Sequence, residues 1–92
     1  MSIEFEWDQN KAASNFLKHG VSFDEAKSVF DDPVYVDFYD PDYSYNEHRY
    51  IIIGHSVKNR LLIVAYAERK NKIRLISARE ATRREKKVYE EG

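Results

Sequence analysis

The stretch RYIIIGHSVKNRLLIVAYAERKNKIRLIS, residues 49–77, decides the fold. It holds three apolar runs, Arg49 to Gly54, Leu61 to Ala67 and Lys72 to Ser77, each of strand length and rich in Ile, Val, Leu and Tyr. The connectors are short. Ser56-Val57-Lys58-Asn59 and Glu68-Arg69-Lys70-Asn71 fit hairpin turns, so the three strands are expected to be antiparallel neighbours. The middle run is apolar at consecutive positions, not alternate ones, so it is apolar on both faces and is expected to be central in the sheet.

Working back from this stretch, Val34, Val36 and Phe38 alternate with Tyr35 and Asp37 as a further strand, joined to the first run by a polar, tyrosine-rich loop from Asp40 to Asn46. Two helices come before it. Ser22 and Glu25 form an S-x-x-E capping box with Val21 and Ala26 at the staple positions. Phe23, Ala26, Val29 and Phe30 supply the buried stripe of that helix, and Asp32-Pro33 stops it. The preceding helix is capped by Asp8, carries Ala12, Ala13, Phe16 and Leu17 as its apolar face, and ends at Gly20. Ile3, Phe5 and Trp7 alternate with Glu4 and Glu6 as an N-terminal strand. Working forward, Ser77 and Glu80 form a second capping box, expected to open a terminal helix reaching about Tyr89. Its apolar stripe is thin (Ala78, Ala81, Val88, Tyr89) and both flanks carry Arg and Lys. The order is β-α-α-β-β-β-β-α. Short connections make this an α+β fold, a small antiparallel sheet with an N-terminal helical hairpin and a C-terminal basic helix.

The 92 residues are expected to form one domain, residues 1–92, without repeats or linkers. Hydrophobic residues at 42% and charged residues at 34% suit a small folded domain better than a disordered chain. With no cysteine, a disulfide scaffold, a thiolate zinc site and a cysteine nucleophile are excluded. No stretch approaches the ~20 apolar residues of a membrane span, and Met1 to Glu6 has no signal-peptide core. A cytoplasmic protein is expected.

Charge is divided unequally along the chain. Residues 1–59 hold five Lys/Arg and eleven Asp/Glu, for −6, whereas residues 60–92 hold ten and five, for +5. Between Arg69 and Lys87 nine basic residues face only Glu80 and Glu85. From Asp31 to His48 there are six acids and no Lys or Arg. Such asymmetry fits a polyanion-binding end, or an acidic segment that answers a basic one within the same surface.

Metal and cofactor motifs fail in turn. Asp40-x-Asp42-x-Ser44-x-Asn46 opens like an EF-hand loop, but Tyr45 stands where Gly is needed and Ile51 where Glu is needed. His19, His48 and His55 have no zinc spacing, and Gly20, Gly54 and Gly92 make no phosphate loop. No cofactor or metal is expected. What remains is basic and polar: Lys11, Asn15, Lys18 and His19 along one flank of the first helix, Glu47 and Arg49 two apart on a strand, Arg69 in a tight turn, Arg74 opposite Ile73 and Leu75, and Arg79, Arg83 and Lys86 in a stripe. Metal-free RNA cleavage uses such an inventory. Glu47 is the candidate base, a histidine or an Arg-assisted group the candidate acid, and Arg49, Arg69 and Arg79 the clamps on the developing phosphorane charge.

Phe5-Glu6-Trp7-Asp8, Lys11-Ala12, Asn15 and Lys18-His19-Gly20-Val21, with Phe23 and Glu25-Ala26, resemble the opening of the BrnT family. Glu47-x-Arg49, Gly54, Arg60-Leu61-Leu62-x-Val64 and Arg74-x-Ile76-Ser77-Ala78-Arg79, with Ala81, Glu85 and Tyr89, resemble its later blocks, so the likeness covers nearly the whole chain. Only Phe38 to Tyr45 departs, being richer in Tyr than the family pattern. The resemblance implies a RelE-like fold and a toxin of a type II toxin–antitoxin system that cleaves RNA and halts translation. It implies a small antitoxin partner, BrnA, through which alone operator DNA is contacted. It also implies catalytic roles for Glu47, Arg49, Arg69 and Arg79, while the basic constellation itself supplies Lys11, Lys18, His19, Arg74 and Arg83 as candidate RNA contacts. The antitoxin is expected on the basic Arg69–Lys87 face. Two other readings stay open on the residues alone: a non-catalytic basic module that docks an acidic partner or nucleic acid, and a subunit that only assembles a complex.

Overall fold

The computed structural model describes residues 3–41 and 47–92, so most of the expected Asp40–Asn46 loop, with Asp42, Ser44 and Asn46 of the EF-hand-like spacing, lies outside the described residues. Strand β1 (Glu4–Glu6) leads into helix α1 (Gln9–His19). The Asp8 carboxylate caps that helix, accepting from the backbone N–H of Asn10 at 2.8 Å and of Lys11 at 3.1 Å. Gly20 ends it in the left-handed conformation, φ 69°. Helix α2 (Phe23–Lys27) begins at Ser22 and tightens into one 3₁₀ turn, Ser28–Asp31. Then follow β2 (Val36–Tyr39), β3 (His48–His55), β4 (Leu61–Arg69), β5 (Lys72–Glu80) and α3 (Arg83–Glu91).

The sheet order is β1-β5-β4-β3-β2, with the apolar β4 in the centre. The β4–β5 connection is a two-residue turn in which Lys70 and Asn71 both take positive φ, 46° and 70°, matching the twist of the flanking strands. The sheet is not wholly antiparallel: β1 runs parallel to β5, filling the edge that the hairpins leave unpaired, with Glu4 and Glu6 opposite Lys72 and Arg74. Val21, Phe23, Ala26 and Val29 pack with Ile52, Leu62, Val64, Tyr66, Leu75 and Ala78, so α1 and α2 cover one face of the sheet. At Gly54 the two layers nearly touch. A Cβ there would meet Val29 Cγ1 at 3.0 Å and the Asp32 carboxylate at 3.1 Å.

Three expectations are corrected. The apolar face assigned to α1 is mostly outside: Leu17 is 87% exposed and Phe16 55%, and Asn15 is the buried residue. Polar burial wins because Asn15 replaces backbone partners between layers. Its amide donates to Val21 O at 3.0 Å and Ala78 O at 2.9 Å and accepts from Ala78 N–H at 3.0 Å. Second, Ser77 and Glu80 open no helix. They continue β5, since Ser77 pairs with Ala65 and Glu80 with Leu62. The helix begins five residues later, where the Thr82 hydroxyl accepts from the Glu85 N–H and the Glu85 carboxylate returns to the Thr82 N–H. Third, only half of the Ser22 box forms. The Glu25 side chain, 2% exposed, turns instead to Arg60 and to the Ser56 hydroxyl, and Arg60 reaches on to Gly20 O at 3.1 Å. This one ion pair joins α2, the end of α1 and the β3–β4 turn. Its carboxylate is held below the ordinary range chiefly by Arg60.

Candidate active site on the open face of the sheet

The face turned away from α1 and α2 is assembled by register. Residues directly opposite each other on adjacent strands share a face. Arg49, Ala67 and Arg74 form one row across β3, β4 and β5; Ile51, Ala65 and Ser77 form the next; Ile53, Ile63 and Arg79 the third. Arg74 and Arg79 are five apart and would point to opposite faces of a regular strand. A bulge prevents this. Tyr66 pairs with Leu75 and Ala65 with Ser77, leaving Ile76 unmatched, so Arg74 and Arg79 both reach the open face while Leu75 and Ala78 both reach the core.

At one end of this face Glu47 lies between two guanidinium groups, 3.6 Å from Arg49 Nε and 3.9 Å from Arg69 Nε. Arg69 and Lys72 are opposite each other one row further out. Arg74, across the small and fully buried Ala67 from Arg49, is 3.8 Å from Glu6. Lys72 is likewise 3.8 Å from Glu4, so the result is a partly exposed Glu47 carboxylate in a bay between Arg49 and Arg69, flanked by the Lys72–Glu4 and Arg74–Glu6 pairs. Such a bay can hold a phosphate and take a proton from a hydroxyl beside it.

A family model described as "Ribonuclease toxin, BrnT, of type II toxin-antitoxin system" matches residues 7–85. The chain belongs to the BrnT family. Its members are ribonuclease toxins of type II toxin–antitoxin systems, so RNA is the substrate and an antitoxin the partner. The fold is similar to that in a crystal structure of the Brucella abortus ribonuclease toxin BrnT, with a TM-score of 0.67 and 20% identity, covering 89% of this chain and 100% of that one. No curated protein matches the chain.

Within this BrnT fold the expected site residues separate into three groups. Glu47, Arg49, Arg69 and Arg74 are brought together as described. Arg79 stands apart, four residues along β4 from the Arg49 row, about 13 Å at strand rise. Its guanidinium is gripped by Glu85, Nη1 to Oε1 at 2.8 Å and Nη2 to Oε2 at 2.9 Å, which pulls the carboxylate down to about 2. Arg83 begins α3 beside it. Lys11, Lys18 and His19 form the third group. They lie on α1, in the layer against the opposite face, and do not join the others.

No histidine among the described residues meets Glu47 either. His48 turns to the helix side, its ring 5.9 Å from that of Tyr39, and His55 lies eight residues further along, about 26 Å away. His55 belongs to another network. Asp32 accepts from Val34 N–H, His55 N–H and the Tyr89 hydroxyl, at 2.9, 2.8 and 2.7 Å. Burial pushes the Asp32 carboxyl up, but these donors outweigh it and hold it below the ordinary range. Tyr89 is pushed up to about 12, first by burial and then by Asp32. Its one hydroxyl proton goes to Asp32, so His55 Nδ1, 3.1 Å from the phenol oxygen, is the donor there. Glu85 and Tyr89, four apart on α3, thus fasten the helix to β5 and to β3.

Lys72, Ser77 and Glu85 are site neighbours that pattern reading passed over as site residues. Thr82-x-x-Glu85 was available as a rival capping box. The bulge at Ile76 left no trace in the sequence.

Proposed function

We propose that the Glu47 end of the open face is the cleavage centre and that it works without a bound metal. Glu47 takes the proton of a ribose 2′-hydroxyl, the 2′-oxygen bonds to phosphorus, and the bond from phosphorus to the 5′-oxygen breaks. Arg49 and Arg69 hold the two non-bridging oxygens while charge builds on them. The departing 5′-oxygen takes its proton from solvent, and the products are a 2′,3′-cyclic phosphate and a free 5′-hydroxyl. Arg74 holds the phosphate in the adjoining row, and Arg83 meets the strand where it leaves the face. Such cleavage halts translation, in the cytoplasm. A BrnA-like antitoxin neutralises it, and operator DNA is contacted only through that antitoxin.

The observation that carries this reading is one carboxylate set between two guanidinium groups at 3.6 and 3.9 Å on an exposed sheet face. Glu47→Gln is expected to lower RNA cleavage by about 10²–10⁴-fold while an uncleavable 2′-O-methyl RNA still binds. Wild-type cleavage is expected to be unchanged in EDTA. Full activity in Glu47→Gln removes the assignment of the base, and loss of activity in EDTA removes the metal-free mechanism. If the wild-type protein binds RNA and never cleaves it, the basic face is a docking module instead.

A further inference from the structure

Between the two cationic ends the open face is apolar. A hollow of about 130 Å³ is lined by Ile51, Ile63, Ala65, Ser77 and Arg79. Its floor is the Ile51–Ala65–Ser77 row, with small side chains at two of three positions, and Phe38 extends the row from β2, 43% exposed. The Ser77 side chain is exposed and supplies a hydroxyl donor and acceptor at the edge. Arg79 forms the wall. With both terminal nitrogens held by Glu85, its guanidinium is fixed in orientation, and its positive charge is answered by that carboxylate. A guanidinium in that state is a weak clamp for phosphate but a good flat surface and hydrogen-bonding edge for a planar heterocycle.

We propose that this hollow receives the base of one unpaired nucleotide, so that the protein takes single-stranded RNA lying extended across the open face. The backbone on one side of that base runs to the Arg49, Arg69 and Arg74 bay, and on the other side towards Arg83 and the basic flank of α3. The charges on both sides argue for a polyanion over an apolar peptide. The narrow apolar floor argues for one exposed base over a duplex, which turns its bases inward and presents only phosphate ridges. Ser77 and Arg79 are then the groups that tell one base from another. The inference rests on the proposed function for the identity of the bay, but it concerns binding and not proton transfer.

The test uses the intact protein and a fluorescent 2′-O-methyl RNA that cannot be cleaved, as a single strand and annealed to its complement, with binding followed by anisotropy. The wild type is expected to prefer the single strand. Ala65→Leu fills the hollow and is expected to weaken single-strand binding at least about tenfold while leaving duplex binding within about twofold. Ser77→Val, at an exposed strand position, is expected to change the ranking of the four homopolymer probes, and it keeps the test decisive if Ala65→Leu fails to fold. Equal wild-type affinity for strand and duplex overturns the proposal. So does an Ala65→Leu variant that is folded and binds the single strand as well as wild type. Unchanged RNA binding with a weakened antitoxin complex shows a hollow built for a protein side chain, and also overturns it. Because the probe cannot react, a failure of the Glu47 assignment leaves these results standing, and the reverse holds equally.

Discussion

Asn15 shows how much one polar side chain can carry in a small fold. Its amide closes three hydrogen bonds at distances of 2.9–3.0 Å, two to the backbone of Ala78 and one to Val21, where helix layer and sheet meet. Water cannot take the amide's place at those backbone groups, because Val21 and Ala78 are buried. Asn15→Leu is isosteric enough to fit and more apolar, so a purely hydrophobic account expects it to be neutral. The hydrogen-bond account expects a loss of about 3 kcal/mol or more, since three buried backbone groups are left unsatisfied at about 1–3 kcal/mol each. Urea unfolding decides between them: the midpoint should fall with the slope unchanged. A midpoint at the wild-type value would mean that the site rearranges to satisfy Val21 and Ala78 elsewhere.

At the scale of elements, the strands and their turns were legible because period and turn residues agree. The central run of β4, Asn59 and the Lys70-Asn71 pair all say the same thing that the register says. The helix ends were less so. Ser77 and Glu80 satisfy the capping pattern as well as Thr82 and Glu85 do, and only pairing of β5 with β4 settles which box forms. In α1, the apolar spacing of Phe16 and Leu17 was outvoted by Asn15, whose value depends on partners far away in sequence. For the candidate site the residue types were visible, but their grouping was not, because a single bulge at Ile76 decides which arginines share a face. Helix α3 also yields a pH prediction. No residue of it is buried, and the Arg79–Glu85 and Asp32–Tyr89 contacts tie it to the sheet. Glu85 is held at about 2 when folded against an ordinary 4.5. A depressed carboxyl contributes stability that is present above about pH 4.5 and is lost as pH falls through 2. Glu85→Gln should therefore melt below wild type at pH 7 and approach it near pH 2. Asp32 and Glu25 act in the same direction in both proteins, so the difference between the curves isolates Glu85. A difference that stays constant from pH 7 to pH 2 would refer the effect to helix capping and not to charge.

At the scale of the whole molecule, acids of the first half of the chain meet bases of the second in the pairs Glu4–Lys72, Glu6–Arg74, Glu25–Arg60 and Glu47–Arg69, so the charge division along the chain is partly answered within the fold. Arg83, Arg84, Lys86 and Lys87 are all exposed on α3, next to the open face and beside the Arg79–Glu85 pair. A partner that covers the open face from the α3 side meets this flank first, and an acidic segment there gains attraction and a path along the face towards the phosphate positions. We expect the antitoxin to dock there. Charges of this kind act mainly on the rate of encounter, and salt screens them over a Debye length of about 8–10 Å. Arg83→Glu combined with Lys87→Glu should therefore slow association about tenfold or more at low salt, with a much smaller effect on dissociation. In high salt the gap between variant and wild type should close. The alternative docking surface is the acidic stretch from Asp31 to Glu47, which would leave the basic flank uncovered. Asp40→Lys combined with Asp42→Lys tests it in the same assay. If that pair weakens association and the α3 pair does not, the antitoxin sits on the acidic side. Inhibition would then have to reach the Glu47 bay from β2 and not from α3.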